Sequence, residues 1–303
     1  MTSPSTTTGT VPFKVPGLDR ECFTWFKVFG DLGNGVRPLI ALHGGPGVGH
    51  NYLLSLADLA ITRPVILYDQ LGCGNSTLLP EKNGDTTFWT VQLFLKELEN
   101  LVENFKIESY DLFGNSWGGM LAAEHALTDP QKLHKLIIAD SPASMVDWVI
   151  AANKLRAELP KEVQEVLLKH ETDGTTDSSE YEAAVEVFYG LHVCRLKPWP
   201  SEVVDTFNNI KKDSTVYMTM NGPSEFFVIG SLKDWSIKKE LGNIAVPTLL
   251  LNGRYDEATD WVLKPYFDEI PRVRWYTFAQ SSHMPHWEER NRFMEVVGEF
   301  LEG

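Results

Sequence analysis

A serine between glycines, an aspartate and a histidine follow one another along the chain as Ser116, Asp256 and His283. A serine hydroxyl is a weak nucleophile and needs a base. An imidazole, which titrates near neutrality, can take the proton and return it to a leaving group. A carboxylate on the far side of the ring fixes its tautomer and stabilises the imidazolium. These three types in this order define acyl transfer through a covalent acyl-enzyme. Asp140, Asp234 and Asp260 are rival acids, and His286, just beyond His283, is a rival base. Asp256 is preferred because its spacing to His283 leaves room for one helix and one strand, and His283 because it lies nearer than His286 to the end of the run Val273–Phe278.

Ser116 sits in Gly114-Asn115-Ser116-Trp117-Gly118-Gly119, which fits Gly-x-Ser-x-Gly, the pattern of a serine on a sharp strand-to-helix turn. Tyr110–Phe113 before it reads as a buried strand, and Met120–Leu127 after it is rich in helix formers. The turn would leave the Trp117 N–H free at a helix N-terminus, where it can stabilise an oxyanion. A second donor is expected in His43-Gly44-Gly45-Pro46-Gly47, a glycine-dense loop after the apolar run Pro38–Leu42, with Gly44 and Gly45 offering bare backbone N–H groups. The loop lacks the lysine and Ser/Thr of a phosphate loop, which argues against a nucleotide site. His43 reads as a loop-orienting residue bonded to backbone, and Asp69 as a cap on its turn.

The elements that must position these groups are apolar runs alternating with helical stretches. Pro38–Leu42, Val65–Asp69, Tyr110–Phe113, Leu136–Asp140, Val246–Asn252 and Val273–Phe278 read as strands. Residues 90–105 carry apolar residues at three- and four-residue spacing, the mark of a helix with one buried face. The rhythm predicts an α/β fold, a mostly parallel central sheet flanked by helices. It breaks after Ser141, where a polar-helical stretch, with Lys154–His170 and Ser179–His192 its clearest helices, reads as an inserted helical cap. The expected organisation is a core of residues 11–141 and 242–303 with a cap of 142–241. Val11–Val15 and Cys22–Phe29 read as an edge hairpin, and residues 1–10, Ser/Thr-rich, as a disordered tail. Groups at the ends of parallel strands converge on one crevice, which lets Ser116, Asp256 and His283 meet.

Composition narrows the function. A formal net charge of −14 makes a poor ligand for nucleic acid or an anionic membrane. No apolar run has the length of a membrane helix, and the N-terminus lacks a signal peptide's apolar core. The three cysteines, Cys22, Cys73 and Cys194, form no CxxC pair and read as free thiols in a reducing compartment, with the cytoplasm the expected location. No carboxylate–histidine cluster has metal-ligand spacing, so neither metal nor other cofactor is expected. The sequence says nothing of oligomeric state.

These residues resemble the proline iminopeptidases (prolyl aminopeptidases), serine peptidases of the α/β-hydrolase fold. The resemblance rests on His43–Gly47, Asp69–Ser76, Gly114–Gly119, Met220–Phe226 and Gly253–Glu257. It extends over about residues 20–300 and is similar, at Met220–Phe226, to the subgroup of tricorn-interacting aminopeptidase and amino-acid amidases. It implies that Glu225 and Glu257 bind the substrate's free amine. Two carboxylates facing one cleft repel, and a protonated amine would relieve them and orient the scissile carbonyl at Ser116. The chain departs from the pattern at Leu71, where many relatives have arginine, and at Ser282, where glycine often precedes the histidine. The implied function is a serine aminopeptidase releasing an N-terminal residue, proline or another small or apolar one, from a small peptide or aminoacyl amide. The alternatives are an amino-acid amidase or esterase with the same triad, and a catalytically silent binding protein on the same scaffold.

Overall fold

The computed structural model describes residues 5–303. Its centre is an eight-stranded sheet of β1 (Thr6–Phe13), β2 (Cys22–Phe29), β3 (Leu39–Leu42), β4 (Val65–Asp69), β5 (Tyr110–Asn115), β6 (Leu133–Ala139), β7 (Thr248–Gly253) and β8 (Val273–Phe278), in the spatial order β1-β2-β4-β3-β5-β6-β7-β8. β1 and β2 pair antiparallel with each other and β2 antiparallel with β4; every pairing from β4 through β8 is parallel. β3, β4, β5 and β7 are buried along their whole length, which is why they read as unbroken apolar runs: helices cover both faces. The core lies in two clusters, one on each side of the sheet.

The helices of the sheet layers are α1 (Val91–Asn104), α2 (Trp117–Leu127), α8 (Asp260–Glu269) and α10 (Arg290–Glu302), the last preceded by the single turn α9 (Pro285–Glu288). Between β6 and β7 the chain forms α3 (Met145–Arg156), α4 (Lys161–Asp173), α5 (Ser179–His192), α6 (Ser201–Lys212) and α7 (Thr215–Met220), with no strand among them. Among the described residues no helix is long and apolar enough to cross a membrane.

Two expectations need correction. The strand at the sheet edge begins at Thr6, inside the stretch read as a disordered tail. Thr6 to Thr10 pair with Phe29 to Trp25. β-branched threonines favour extended backbone, and β2 offers them a free edge; residues 1–4 of that tail lie outside the described residues. The helix read over Lys154–His170 is two, because Pro160, with no N–H and a fixed φ, ends one run and caps the next. The chain breaks again between α9 and α10, where Glu289 stands at φ −125°, ψ 46°.

Candidate active site

Ser116 occupies the junction of β5 and α2 at φ 57°, ψ −126°, a left-handed conformation that a non-glycine residue holds only where its surroundings impose it. The glycines make that turn possible. A Cβ on Gly118 would lie 2.1 Å from the Leu42 carbonyl oxygen, and one on Gly114 2.0 Å from that of Gly118. So α2 passes against the end of β3 at a distance only bare backbone allows. The strands thereby deliver the Ser116 turn and the His43–Gly47 loop to the same point.

That loop is pinned from within. His43 donates from Nδ1 to the Gly44 carbonyl at 2.9 Å, and its Nε2 accepts the Gln70 N–H at 3.0 Å. Burial pushes the ring's pKa down to about 4, so it stays neutral and structural, as expected for a loop-orienting residue. The Gln70 side chain then donates to the His43 carbonyl at 3.0 Å and accepts the Trp117 indole N–H at 2.8 Å, tying loop to elbow. The Gly44 N–H is donated to the Tyr52 hydroxyl at 2.8 Å, and Tyr52 donates on to Asn115 Oδ1 at 2.8 Å. The Gly44 N–H, expected as an oxyanion donor, is therefore engaged by Tyr52 in this arrangement. The Gly45 and Trp117 N–H groups have no acceptor among the described residues.

His283 follows β8 in the loop before α9, and Asp256 follows β7. His283 donates from Nδ1 to Asp256 Oδ1 at 2.7 Å, and the same oxygen accepts the Ala258 N–H at 2.9 Å. Burial opposes a charge on His283, but the Asp256 carboxylate and its hydrogen bond, with Glu225 and Glu288 beyond, hold the imidazole above its ordinary pKa. The Trp148 ring stands edge-on to it, centroids 5.9 Å apart. Ser282 donates its N–H and hydroxyl to Glu288 at 2.6 and 3.0 Å. Glu288 also accepts the Arg195 N–H at 2.7 Å, joining this loop to the segment between β6 and β7. Among the rivals, His286 is buried against the Tyr52 carbonyl at 3.1 Å, with burial pushing its pKa down to about 3. Asp260 accepts from Asn252. Asp140 lies buried beside Asp256.

A cleft with about 430 Å³ of empty space brings Ser116, His283, Gly44, Gly45, Glu225 and Glu257 together. Glu225 Oε1 accepts the Tyr217 hydroxyl at 2.7 Å. Its backbone carbonyl accepts the Trp148 indole N–H at 2.7 Å. Glu257 is buried, and its Oε2 has no partner. Burial raises the pKa of both acids, and the charges of Glu225 and Asp256 push Glu257 further. A smaller cleft on the other side of Ser116, walled by Met120, Met145, Trp148 and Leu232, shares Gly45, Ser116 and Glu225 with the first. Tyr52, Gln70, Trp148 and Tyr217 escape the sequence reading. Only Gln70 lies within a motif quoted there, and the others are aromatic residues indistinguishable by pattern from core.

Residues 37–290 match the family of the alpha/beta hydrolase fold, and the chain belongs to it. The sheet, the serine elbow and the strand-end aspartate and histidine are the features of that class. Within it, the chain belongs to the proline iminopeptidase family. The proline iminopeptidase of Heyndrickxia coagulans is 38% identical over 91% of this chain and 94% of that one, and the proline iminopeptidase of Saccharolobus solfataricus is 39% identical over 92% and 88%. Among solved structures, VinJ superposes with a TM-score of 0.94 at 51% identity over 99% of both chains. The proline iminopeptidase of Mycobacterium smegmatis does so at 0.88 and 44% over 98% of both.

Proposed function

We propose that the protein is a serine aminopeptidase that releases an N-terminal residue, proline or another small or apolar one, from a peptide or aminoacyl amide. His283 takes the Ser116 proton as Oγ adds to the scissile carbonyl. The Gly45 and Trp117 N–H groups stabilise the oxyanion, and Asp256 steadies the imidazolium. His283 then protonates the departing amine, and water cleaves the acyl-enzyme by the same route in reverse. Glu225 and Glu257 hold the substrate's ammonium at a fixed distance from Ser116. The smaller apolar cleft beside Trp148 suits the N-terminal side chain. The three cysteines, all buried and free, support a cytoplasmic location.

One observation carries this reading: two carboxylates, one buried with an unpartnered oxygen, share a cleft with Ser116 and His283. Like charges so placed call for a cation. An ammonium there makes the enzyme an exopeptidase by geometry, since an internal peptide bond has none. The test uses one acyl residue as its free-amine and its N-acetyl arylamide. Acetylation removes a buried ionic contact of about 2–5 kcal/mol, so kcat/KM should fall roughly 30- to several thousand-fold. Glu225→Gln should lose comparably on the free amine and little on simple acyl esters. Equal wild-type rates on the two arylamides would remove amine anchoring and leave an esterase or amidase.

A further inference from the structure

Asp140 is a fully buried acid that the chemistry above does not use. It follows β6 at φ 53°, left-handed backbone for a non-glycine residue, its N–H donated to the Leu251 carbonyl at 2.7 Å. Its Oδ2 accepts from Asn115 Nδ2 at 2.9 Å, and its Oδ1 has no partner. Asp256 shows the complementary defect: Oδ1 takes both the His283 and the Ala258 bonds, and Oδ2 has none. One polar side-chain atom from each of Asp140, Asp256 and His283 lies within 4.8 Å of the other two. Two buried carboxyls therefore stand side by side, each with an idle oxygen.

Two bare carboxylates cannot share a dry site; one holds a proton, and an acid–anion pair satisfies both idle oxygens at once. Environment decides which. Asp256 has an imidazole and a backbone N–H to support its anion, whereas Asp140 has the Asn115 amide alone. We propose that Asp140 is a positioning residue that carries the proton and donates its O–H to Asp256 Oδ2, so that the Asp256 carboxylate is fixed in the plane His283 needs. The ionisable groups around it agree. Burial, then the Asp256 charge and hydrogen bond, then Glu288 raise the pKa of Asp140 well above the ordinary carboxylate value, with His283 and the Tyr52 hydroxyl the other titratable neighbours. This role rests on Asp256 and His283 acting as the acid–base pair proposed above.

The test compares Asp140→Ala, Asp140→Asn, Asp256→Asn and His283→Ala in the full chain, with kcat, KM and the pH dependence of kcat/KM as readouts. Asp140→Ala should lower kcat about 10- to 100-fold with KM little changed, since the missing donor spoils only the alignment of the pair. Asp140→Asn retains both bonds, an amide N–H toward Asp256 and a carbonyl toward Asn115, and asparagine tolerates the left-handed backbone. It should recover most of the loss and leave the acidic limb of the pH profile in place. An anionic Asp140 would behave otherwise: its neutralisation in Asp140→Asn would move that limb down by about a unit. That shift, or an Asp140→Ala enzyme as fast as wild type, overturns the proposal. Should Asp140→Ala fail to fold, the limb of Asp140→Asn still decides. Activity lost in Asp256→Asn and His283→Ala but intact in Asp140→Ala defeats the positioning role alone; activity surviving in His283→Ala defeats the acid–base reading beneath it.

Discussion

The Tyr52 hydroxyl accepts the Gly44 N–H at 2.8 Å and so removes one of two adjacent glycine donors from the floor of the cleft. The bond also orients the loop, because Tyr52 passes its own proton to Asn115, the residue before the nucleophile. Tyr52→Phe leaves both groups without their partner. It should cost about 1–3 kcal/mol of stability, seen in thermal unfolding, and lower kcat more than it raises KM. An enzyme unchanged in both would mean that the hydroxyl does not hold the loop.

Ser116→Ala should abolish turnover while the fold persists. A residual acceleration of roughly 10³–10⁴-fold over water, from the oxyanion donors and binding, is the most that should remain. Retention of a tenth of the wild-type rate would disprove the nucleophile.

The two neighbouring histidines should separate cleanly. His283→Ala should lose nearly as much activity as Ser116→Ala, because the pair acts as a unit. His286→Ala, whose ring faces the Tyr52 carbonyl, should lose chiefly stability. The reverse ranking would reassign the base.

Activity should rise with pH through the His283 pKa, and the Asp256 partnership places that midpoint above the ordinary value of about 6.5. On free-amine substrates a falling limb should appear near pH 8, where an α-amine loses the charge that the glutamates read; N-acetyl substrates should lack it. Linkage fixes the sign for stability. A folded pKa above the unfolded one means that the His283 contribution is full below about pH 6.5 and is lost as pH rises through the folded value. A rate midpoint below 6.5 on wild type would contradict the pairing.

Glycine substitutions should sort by local space. Gly118→Ala drives a Cβ to 2.1 Å from the Leu42 carbonyl oxygen, so it should destabilise by about 3 kcal/mol or more. Gly190→Ala, within α5 and with nothing inside 4 Å, should be neutral or stabilise by up to about 1 kcal/mol. Equal melting temperatures for the two variants would mean that the elbow is not packed as described.

Buried parallel strands announce themselves, and β3, β4, β5 and β7 were legible because apolar residues without alternation have few other uses. The Ser116 turn was legible for a similar reason, its glycines being required by contact with backbone. Polar strand edges are harder. Thr6–Thr10 resemble a tail in composition because their order comes from pairing with β2, which composition does not record. The engagement of Gly44 has the same origin: whether its N–H is free depends on Tyr52, which reaches the loop from the 3₁₀ helix Asn51–Ile61. Asp256 and His283 were legible as partners because both follow strand ends, whereas Asp140 entered only as a rival acid, and nothing in its spacing reveals that it stands beside Asp256.

Glu288 accepts the Ser282 N–H on one oxygen and the Arg195 N–H on the other. Arg195 belongs to the helical segment between β6 and β7, and Ser282 immediately precedes the histidine. Through Glu288 the two stretches, far apart in sequence, are held to each other. One carboxylate thus serves two distant stretches of chain, so Glu288→Ala withdraws support from the histidine loop and from the inserted segment at once.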